Sequence, residues 1–227
     1  MKTLVLSDLL SQRSSLGQMT FVLVVVDIIM LISMQSPEAA LAGVAVMVPY
    51  LMCYSMAVSD ELSGWERLRL TLPMGRNVVV RSRYASVILI AVITCVLAFI
   101  LNIVLLAIIG AIPQLSGWLG GLALTGEKVA GMLASAVLAF AMCLLFCSFT
   151  LPAMFRFGIT RATRFVPVLA VVVMLVVFAA LSEDSGVIAA LDAVSPFMVA
   201  VVAILASIAV CAASIVIATR MLERREF

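Results

Sequence analysis

The sequence predicts an all-α membrane protein with six transmembrane helices, and three observations carry this prediction. Of the 227 residues, 65% are hydrophobic and only 11% are charged, whereas soluble chains average about 45–50% apolar and about 25% charged residues. The mean hydropathy is +1.30. Long charge-free runs recur along the chain, without the alternating pattern of transmembrane β-strands. Helices that face lipid therefore account for the composition.

Six apolar runs are bounded by charged residues, Pro or Gly, and each is a candidate transmembrane helix. A hydrocarbon core about 30 Å thick takes roughly 20 helical residues. The third run is the longest, so we expect it to tilt or to project beyond the bilayer, and the fifth is barely long enough to cross. The predicted spans are residues 17–34, 39–59, 84–111, 129–151, 165–181 and 197–219. With their loops they form one predicted transmembrane domain, residues 17–227.

Residues 1–16 are too polar for a span and too interrupted for the core of a signal peptide. Leucines alternate there with Lys2, Asp8 and Arg13. We expect an amphipathic helix that lies at the membrane interface in contact with lipid. A loosely ordered tail is the alternative.

The basic residues predict the orientation of the chain. Of the 14 Lys and Arg residues, all but Lys128 fall in the terminal segments or in the loops after the second and fourth spans. Cytoplasmic loops of membrane proteins carry an excess of Lys and Arg. Both termini and these two loops are therefore predicted to be cytoplasmic.

Composition and motifs argue against an enzyme. Histidine is absent, which removes imidazole bases and ligands. The five cysteines all lie in apolar runs and are interpreted as packing residues, so we expect neither a metal nor another cofactor. The segment 121–128 resembles a phosphate-binding loop, but Glu127 stands where the lysine is needed. The net charge of +2 gives no indication of nucleic-acid binding.

Small residues recur at four-residue spacing in two spans. Gly131 and Ser135 lie in the fourth span, and Ala203, Ser207 and Cys211 lie in the last. Such spacing permits close approach of helices, either within one subunit or between two.

Asp27 is the one clear ionisable residue within a predicted span. Insertion scales give an aspartate at the centre of a span a cost of about 2.5–3.5 kcal/mol, so such a residue normally faces protein or water. One hypothesis is a polar point or a proton-linked carboxylate on a transport path. The alternative is a helix-packing hydrogen bond to a neighbour such as Tyr50, Tyr54 or Asn102.

The loop after the second span predicts a short amphipathic helix over about residues 60–73. Ser59 or Asp60 can cap its start, and acidic residues occupy its first turn. Apolar residues recur near helical spacing until Pro73. Such a helix either anchors in the lipid headgroups, with Trp65 as an interfacial aromatic, or is bound by a cytoplasmic partner.

At this segment the sequence resembles the permease subunits of ABC-2 type transporters, in the compact six-helix bacterial branch that includes peptide and bacteriocin exporters. The resemblance is carried by Asp60-Glu61, Ser63-Gly64-Trp65-Glu66-Arg67, Leu72-Pro73 and Arg76, and then by Val80, Arg83 and Tyr84. The loop around Leu151-Pro152 and Arg156 is also similar to the family's pattern. One departure is Arg83, where the family often carries Lys.

The resemblance implies a membrane subunit of an ATP-driven exporter in a bacterial cell membrane. A separate cytoplasmic ABC ATPase would hydrolyse ATP, and a second copy or a paralogous permease would complete the path. The implied coupling residues are Asp60, Glu61, Trp65, Glu66, Arg67 and Arg76, followed in the second cytoplasmic loop by Arg156, Arg161 and Arg164. An amphipathic peptide or lipid-like cargo is expected. The alternatives are a proton-coupled carrier that uses Asp27 and a non-transporting assembly or immunity protein.

Overall fold

The computed structural model of the protein describes residues 6, 13–63, 76–111, 125–157 and 196–223. It contains five long helices in these ranges: α1 (Arg13–Met34), α2 (Pro37–Ser63), α3 (Arg76–Ala111), α4 (Gly126–Phe157) and α5 (Pro196–Glu223). The described residues include no strand. The predicted all-α class is confirmed for this part of the chain.

Four of the described helices are long and apolar enough to cross a membrane. Their candidate spans are Pro37–Asp60, Asn77–Ala111, Lys128–Met154 and Met198–Met221. The apolar part of α1, Thr20–Met34, is shorter. The predicted fifth span, residues 165–181, lies outside the described residues. The number of six spans therefore stays a prediction.

All five described helices extend further than the apolar runs that predicted them, and α1 begins at Arg13, within the segment predicted to be a separate interfacial helix. α2 continues to Ser63, so the prediction that Ser59 or Asp60 caps the start of a separate helix is wrong, because both residues lie inside α2. α3 begins at Arg76 rather than near residue 84, and α4 continues past Leu151 to Phe157. Hydropathy marks where a chain enters lipid, whereas the backbone hydrogen bonds of a helix persist into the headgroup layer. Residues 64–73 of the predicted coupling helix lie outside the described part of the chain.

The chain forms two compact units. Unit 1 comprises Met1–Met56 and Ser82–Cys143, and unit 2 comprises Ala57–Arg81 and Leu144–Phe227. Unit 1 has a hydrophobic core to which α1, α2, α3 and the first half of α4 all contribute. Its fully or nearly buried members are Leu23, Leu31, Ala40, Leu41, Val44, Val48, Ala98, Leu106, Ile109 and Met132.

In unit 2, α5 buries small residues and exposes large ones. Its buried positions are Ala200, Ser207, Cys211, Ser214 and Ala218, whereas Val202, Leu205, Ile208, Val216 and Ile217 are exposed. This distribution is the reverse of that in a soluble helix. It is typical of a membrane helix, because small side chains allow close helix packing and large apolar ones face lipid.

The connection between α1 and α2 consists of Gln35 and Ser36. Gln35 has a positive φ of 50°, and its N–H donates to the Leu31 carbonyl at 3.0 Å, which is the αL form of a helix C-terminus. The Ser36 Oγ accepts a hydrogen bond from the Ala39 N–H at 3.4 Å, so Ser36 caps α2. Pro37 follows as the first helical residue, where its missing N–H costs nothing.

Replacing Gln35 by Gly should stabilise the protein by about 0.5–1 kcal/mol, because glycine adopts a positive φ without the steric penalty of a side chain. The free energy of unfolding would be measured by titrating detergent-solubilised protein with sodium dodecyl sulfate. Gln18→Gly is the matched control: Gln18 is exposed within α1, so the same change there should destabilise by about 1 kcal/mol. If both substitutions lower the free energy of unfolding by the same amount, Gln35 does not occupy the αL position assigned to it.

Candidate functional site

Asp27 lies on the face of α1 that packs into the core of unit 1. Leu23 and Leu31, one turn before and one turn after it, are buried with it, and Asp27 itself is 0% exposed. Ile29, at 57% exposure, lies on the opposite face. The helix therefore turns its carboxylate away from lipid and into the protein.

The partner of Asp27 is Asn102, on the buried face of α3. The Asn102 Nδ2 donates to Asp27 Oδ1 at 2.9 Å and to Oδ2 at 3.0 Å. The same nitrogen donates to the Ala98 carbonyl, one turn back in α3, at 3.0 Å. The amide is held between its own helix and the carboxylate, and it joins α1 to α3 in the middle of an apolar core.

The orientation of the Asn102 amide follows from these acceptors. A reversed amide would place its oxygen against the carboxylate and the Ala98 carbonyl, which are both acceptors. In the orientation observed, Asn102 is 0% exposed, and its Oδ1 accepts no hydrogen bond from any part of the chain that the structure describes. The pair thus combines a satisfied amide nitrogen with an unsatisfied amide oxygen.

Chemically, this pair is a polar contact between helices. It corresponds to the helix-packing alternative that the sequence left open, with Asn102 chosen over Tyr50 and Tyr54. Asp27 and Asn102 are both closed off from solvent, and a transport path would have to open before a substrate could touch them. A direct role of Asp27 in transport stays a prediction.

A close approach between two helices of unit 1 lies near the starts of α2 and α4. The Glu38 carboxylate lies directly against Gly131, where a Cβ would overlap its Oε1. Gly131 was predicted to allow close helix packing, and here it makes room for an acidic side chain. Gly43 likewise accommodates the Met30 sulfur, which would be 2.8 Å from a Cβ at residue 43, so α1 and α2 approach closely.

Three of the six predicted coupling residues lie in the described part of the chain, at the end of α2 and at the start of α3. Asp60 is half-buried near the end of α2, and Glu61 is in its last turn. Arg76 is the first residue of α3. Trp65, Glu66 and Arg67 lie outside the described residues, so their contacts and the role of the whole set stay predictions.

The second set of predicted site residues follows α4. Arg156 belongs to the last turn of α4 rather than to a loop, because the helix continues through Pro152. Arg161 and Arg164 lie outside the described ranges. Near the start of α3, Arg83 and Tyr84 are buried, although the loop pattern that singled them out gave no indication of burial.

Comparison with known families identifies the chain. A family model described as "ABC-2 family transporter protein" matches residues 3–223. The chain belongs to the ABC-2 transporter family. No individual curated protein and no solved structure matches it. The match to the ABC-2 family covers all five described helices, from Arg13 to Glu223.

Membership of the ABC-2 family makes this protein a multi-pass component of a membrane transporter, and the family associates in general with an ABC ATPase. Within the described ranges, no three His, Cys, Asp or Glu side chains lie close enough to hold a metal ion. The polar groups that the structure brings together join helices to one another.

Proposed function

We propose that this protein is the permease subunit of an ATP-driven exporter and that a separate ABC ATPase drives it. The observation that carries the proposal is the ABC-2 family match over residues 3–223. The polar, aromatic and basic composition of residues 61–76 supports it, because this segment lies outside the candidate spans of both α2 and α3.

The proposed coupling uses the segment around Glu61, Trp65 and Arg67 as the contact for the ATPase. Its two ends continue directly into α2 and α3, which are long helices. Nucleotide-driven closure of the ATPase pair would displace the segment, and the two helices that adjoin it would carry that displacement into the bilayer. A second copy of the chain or a paralogous permease would form the other wall of the path.

For the cargo we propose an amphipathic peptide or a lipid-like molecule. Support comes from the exposed helix faces, which are lined by large apolar side chains in α3 and α5, and from the resemblance to the branch that exports peptides. A cargo with an apolar face could move along such surfaces without the hydrated channel that a polar solute needs.

Co-purification and flux separate this proposal from the alternatives. The tagged permease would be expressed with candidate ABC ATPases from the same genome, and the complexes would be reconstituted into vesicles. We expect a stoichiometric complex and ATP-dependent flux that is lost when the Walker lysine of the ATPase is replaced. Proton-driven flux by the permease alone would support a carrier that uses Asp27, and neither binding nor flux would support a non-transporting protein.

The proposed topology makes its own prediction. In a variant without the five native cysteines, single cysteines introduced at Ser63 and Ser116 should label from opposite sides of the membrane, because the basic residues predict that Ser63 is cytoplasmic. Accessibility would be measured with a membrane-impermeant maleimide in intact cells and in inverted vesicles. If both positions label from outside, the proposed contact with a cytoplasmic ATPase is ruled out.

A further inference from the structure

α4 contains a proline inside the helix, five residues before its end at Phe157. Pro152 has no N–H, so the carbonyl of Ser148, four residues earlier, has no donor within its own helix. In a membrane this loss matters, because lipid offers no replacement hydrogen bond. The Ser148 carbonyl therefore needs a donor from elsewhere.

Ser214 of α5 supplies that donor. Its Oγ donates to the Ser148 carbonyl at 2.5 Å, and both serines are buried, with 5% and 4% of their surfaces exposed. All three residues belong to unit 2. The hydrogen bond that proline removes from α4 is thus replaced by one between α4 and α5.

Other hydroxyl groups of α5 behave differently. Ser207 donates to the Ile204 carbonyl at 2.8 Å, and Thr219 donates to the Ile215 carbonyl at 2.8 Å, both within α5. Such local bonds satisfy a serine or threonine in a membrane helix without any partner helix. Ser214 makes its bond across to α4, at the carbonyl that lacks its usual partner.

The same part of α4 carries two hydroxyl groups that hydrogen-bond to the preceding turn. The Ser148 Oγ donates to the Leu144 carbonyl at 2.7 Å, and the Thr150 Oγ1 donates to the Phe146 carbonyl at 2.7 Å. Hydroxyls that bond back to the preceding turn weaken and bend a helix. Together with Pro152, these two hydroxyl groups weaken the backbone hydrogen bonds of α4 between Leu144 and Pro152.

We propose that this segment is a hinge and that Ser214 is its clamp. While Ser214 holds the Ser148 carbonyl, the end of α4 from Pro152 to Phe157 stays aligned with the rest of the helix. When the hydrogen bond between Ser214 and the Ser148 carbonyl breaks, the end of α4 changes its direction relative to the rest of the helix. At the same step α4 and α5 lose the hydrogen bond that joins them at this point. Because Arg156 lies in this end of α4, the clamp ties the position of the last turn of α4 to α5.

The test uses Pro152→Ala, which restores the missing N–H. In the native background, Ser214→Ala should raise the amide exchange rate of residues 153–157 about tenfold, because it leaves a buried carbonyl without a donor. In the Pro152→Ala background, the same change should have no effect, since α4 then pairs its own carbonyl. Exchange would be followed by mass spectrometry on the detergent-solubilised chain, without an ATPase.

Ser207→Ala is the matched control, because it removes a buried hydroxyl from α5 that bonds only within α5. It should leave exchange at residues 153–157 unchanged. The proposal is overturned if Ser214→Ala has no effect in the native background, or if it raises exchange equally with and without Pro152. If the Pro152→Ala variant does not accumulate, Pro152→Leu supplies the same N–H with different packing. The effect of Ser214→Ala on amide exchange is then compared between the native and the Pro152→Leu backgrounds, with the same expected results.

Discussion

The triple substitution Glu61→Lys, Trp65→Ala and Arg67→Glu is expected to weaken ATPase binding strongly and to abolish ATP-driven export, while the permease still inserts into the membrane. Trp65 is the largest apolar side chain in residues 61–76, and a buried tryptophan at an interface contributes about 2 kcal/mol or more. Reversal of the two charges adds repulsion where the partner's charges are complementary. The dissociation constant of the ATPase complex should rise by at least about thirtyfold.

Pull-down of the ATPase and vesicle flux would measure this effect, with membrane insertion checked by fractionation. The chain offers a matched control in its other tryptophan: Trp118→Ala with Glu127→Lys and Lys128→Glu makes the same kinds of change on the predicted outer side. That control should bind the ATPase normally. Normal binding and transport by the Glu61, Trp65 and Arg67 variant would show that the ATPase contacts another surface.

The second large effect is expected at the Asp27–Asn102 pair. Asp27→Leu should lower the free energy of unfolding by roughly 1–3 kcal/mol, because it leaves the buried Asn102 amide without its carboxylate partner. Asp27→Asn keeps the shape and the capacity for hydrogen bonds, so it should fold and insert. Asn102→Leu should destabilise more than Asp27→Leu, since it leaves a buried carboxylate rather than a buried amide unpaired.

The double variant Asp27→Leu with Asn102→Leu distinguishes a packing contact from a functional one. Replacing both partners by apolar groups removes the unpaired atoms, so its stability should return close to that of the native chain. If the double variant is stable and exports normally, the pair is structural. If Asp27→Asn assembles with the ATPase but does not transport, the charge itself acts in the path. A stable, active Asp27→Leu would contradict both interpretations.

The helices were predictable because lipid imposes a simple rule, namely that a segment long and apolar enough must form a helix. That rule places the membrane-crossing parts of α2, α3, α4 and α5. The rule does not predict where the helices end, because Ser63, Arg76 and Phe157 lie beyond the apolar runs. There the backbone hydrogen bonds, and not the apolar side chains, determine whether the helix continues. The sequence also gives no sign that Gln35, rather than a glycine, adopts a positive φ.

The polar contacts were predictable only in part. A lone carboxylate in a span requires a partner, so the burial of Asp27 could be expected, but three residues qualified and only the packing of α1 on α3 selects Asn102. For Ser214 the sequence contained no signal, because it placed Pro152 in the loop after the fourth span, and a proline leaves the Ser148 carbonyl without its helix donor only if α4 continues through it. Nor could the sequence provide which of the hydroxyls in α5 comes within 2.5 Å of that carbonyl.

The Asp27–Asn102 hydrogen bond joins residues that are 75 positions apart in the chain, and this separation has a consequence for biogenesis. At a synthesis rate of about 5–20 residues per second, roughly 4–15 s pass between the translation of Asp27 and that of Asn102. During this interval α1 carries a carboxylate without its final partner, at an insertion cost of about 2.5–3.5 kcal/mol. α2 follows after only two residues and carries no such carboxylate in the middle of its span. We therefore expect α1 to reach its full stability in the bilayer only after α3 has brought Asn102 to Asp27.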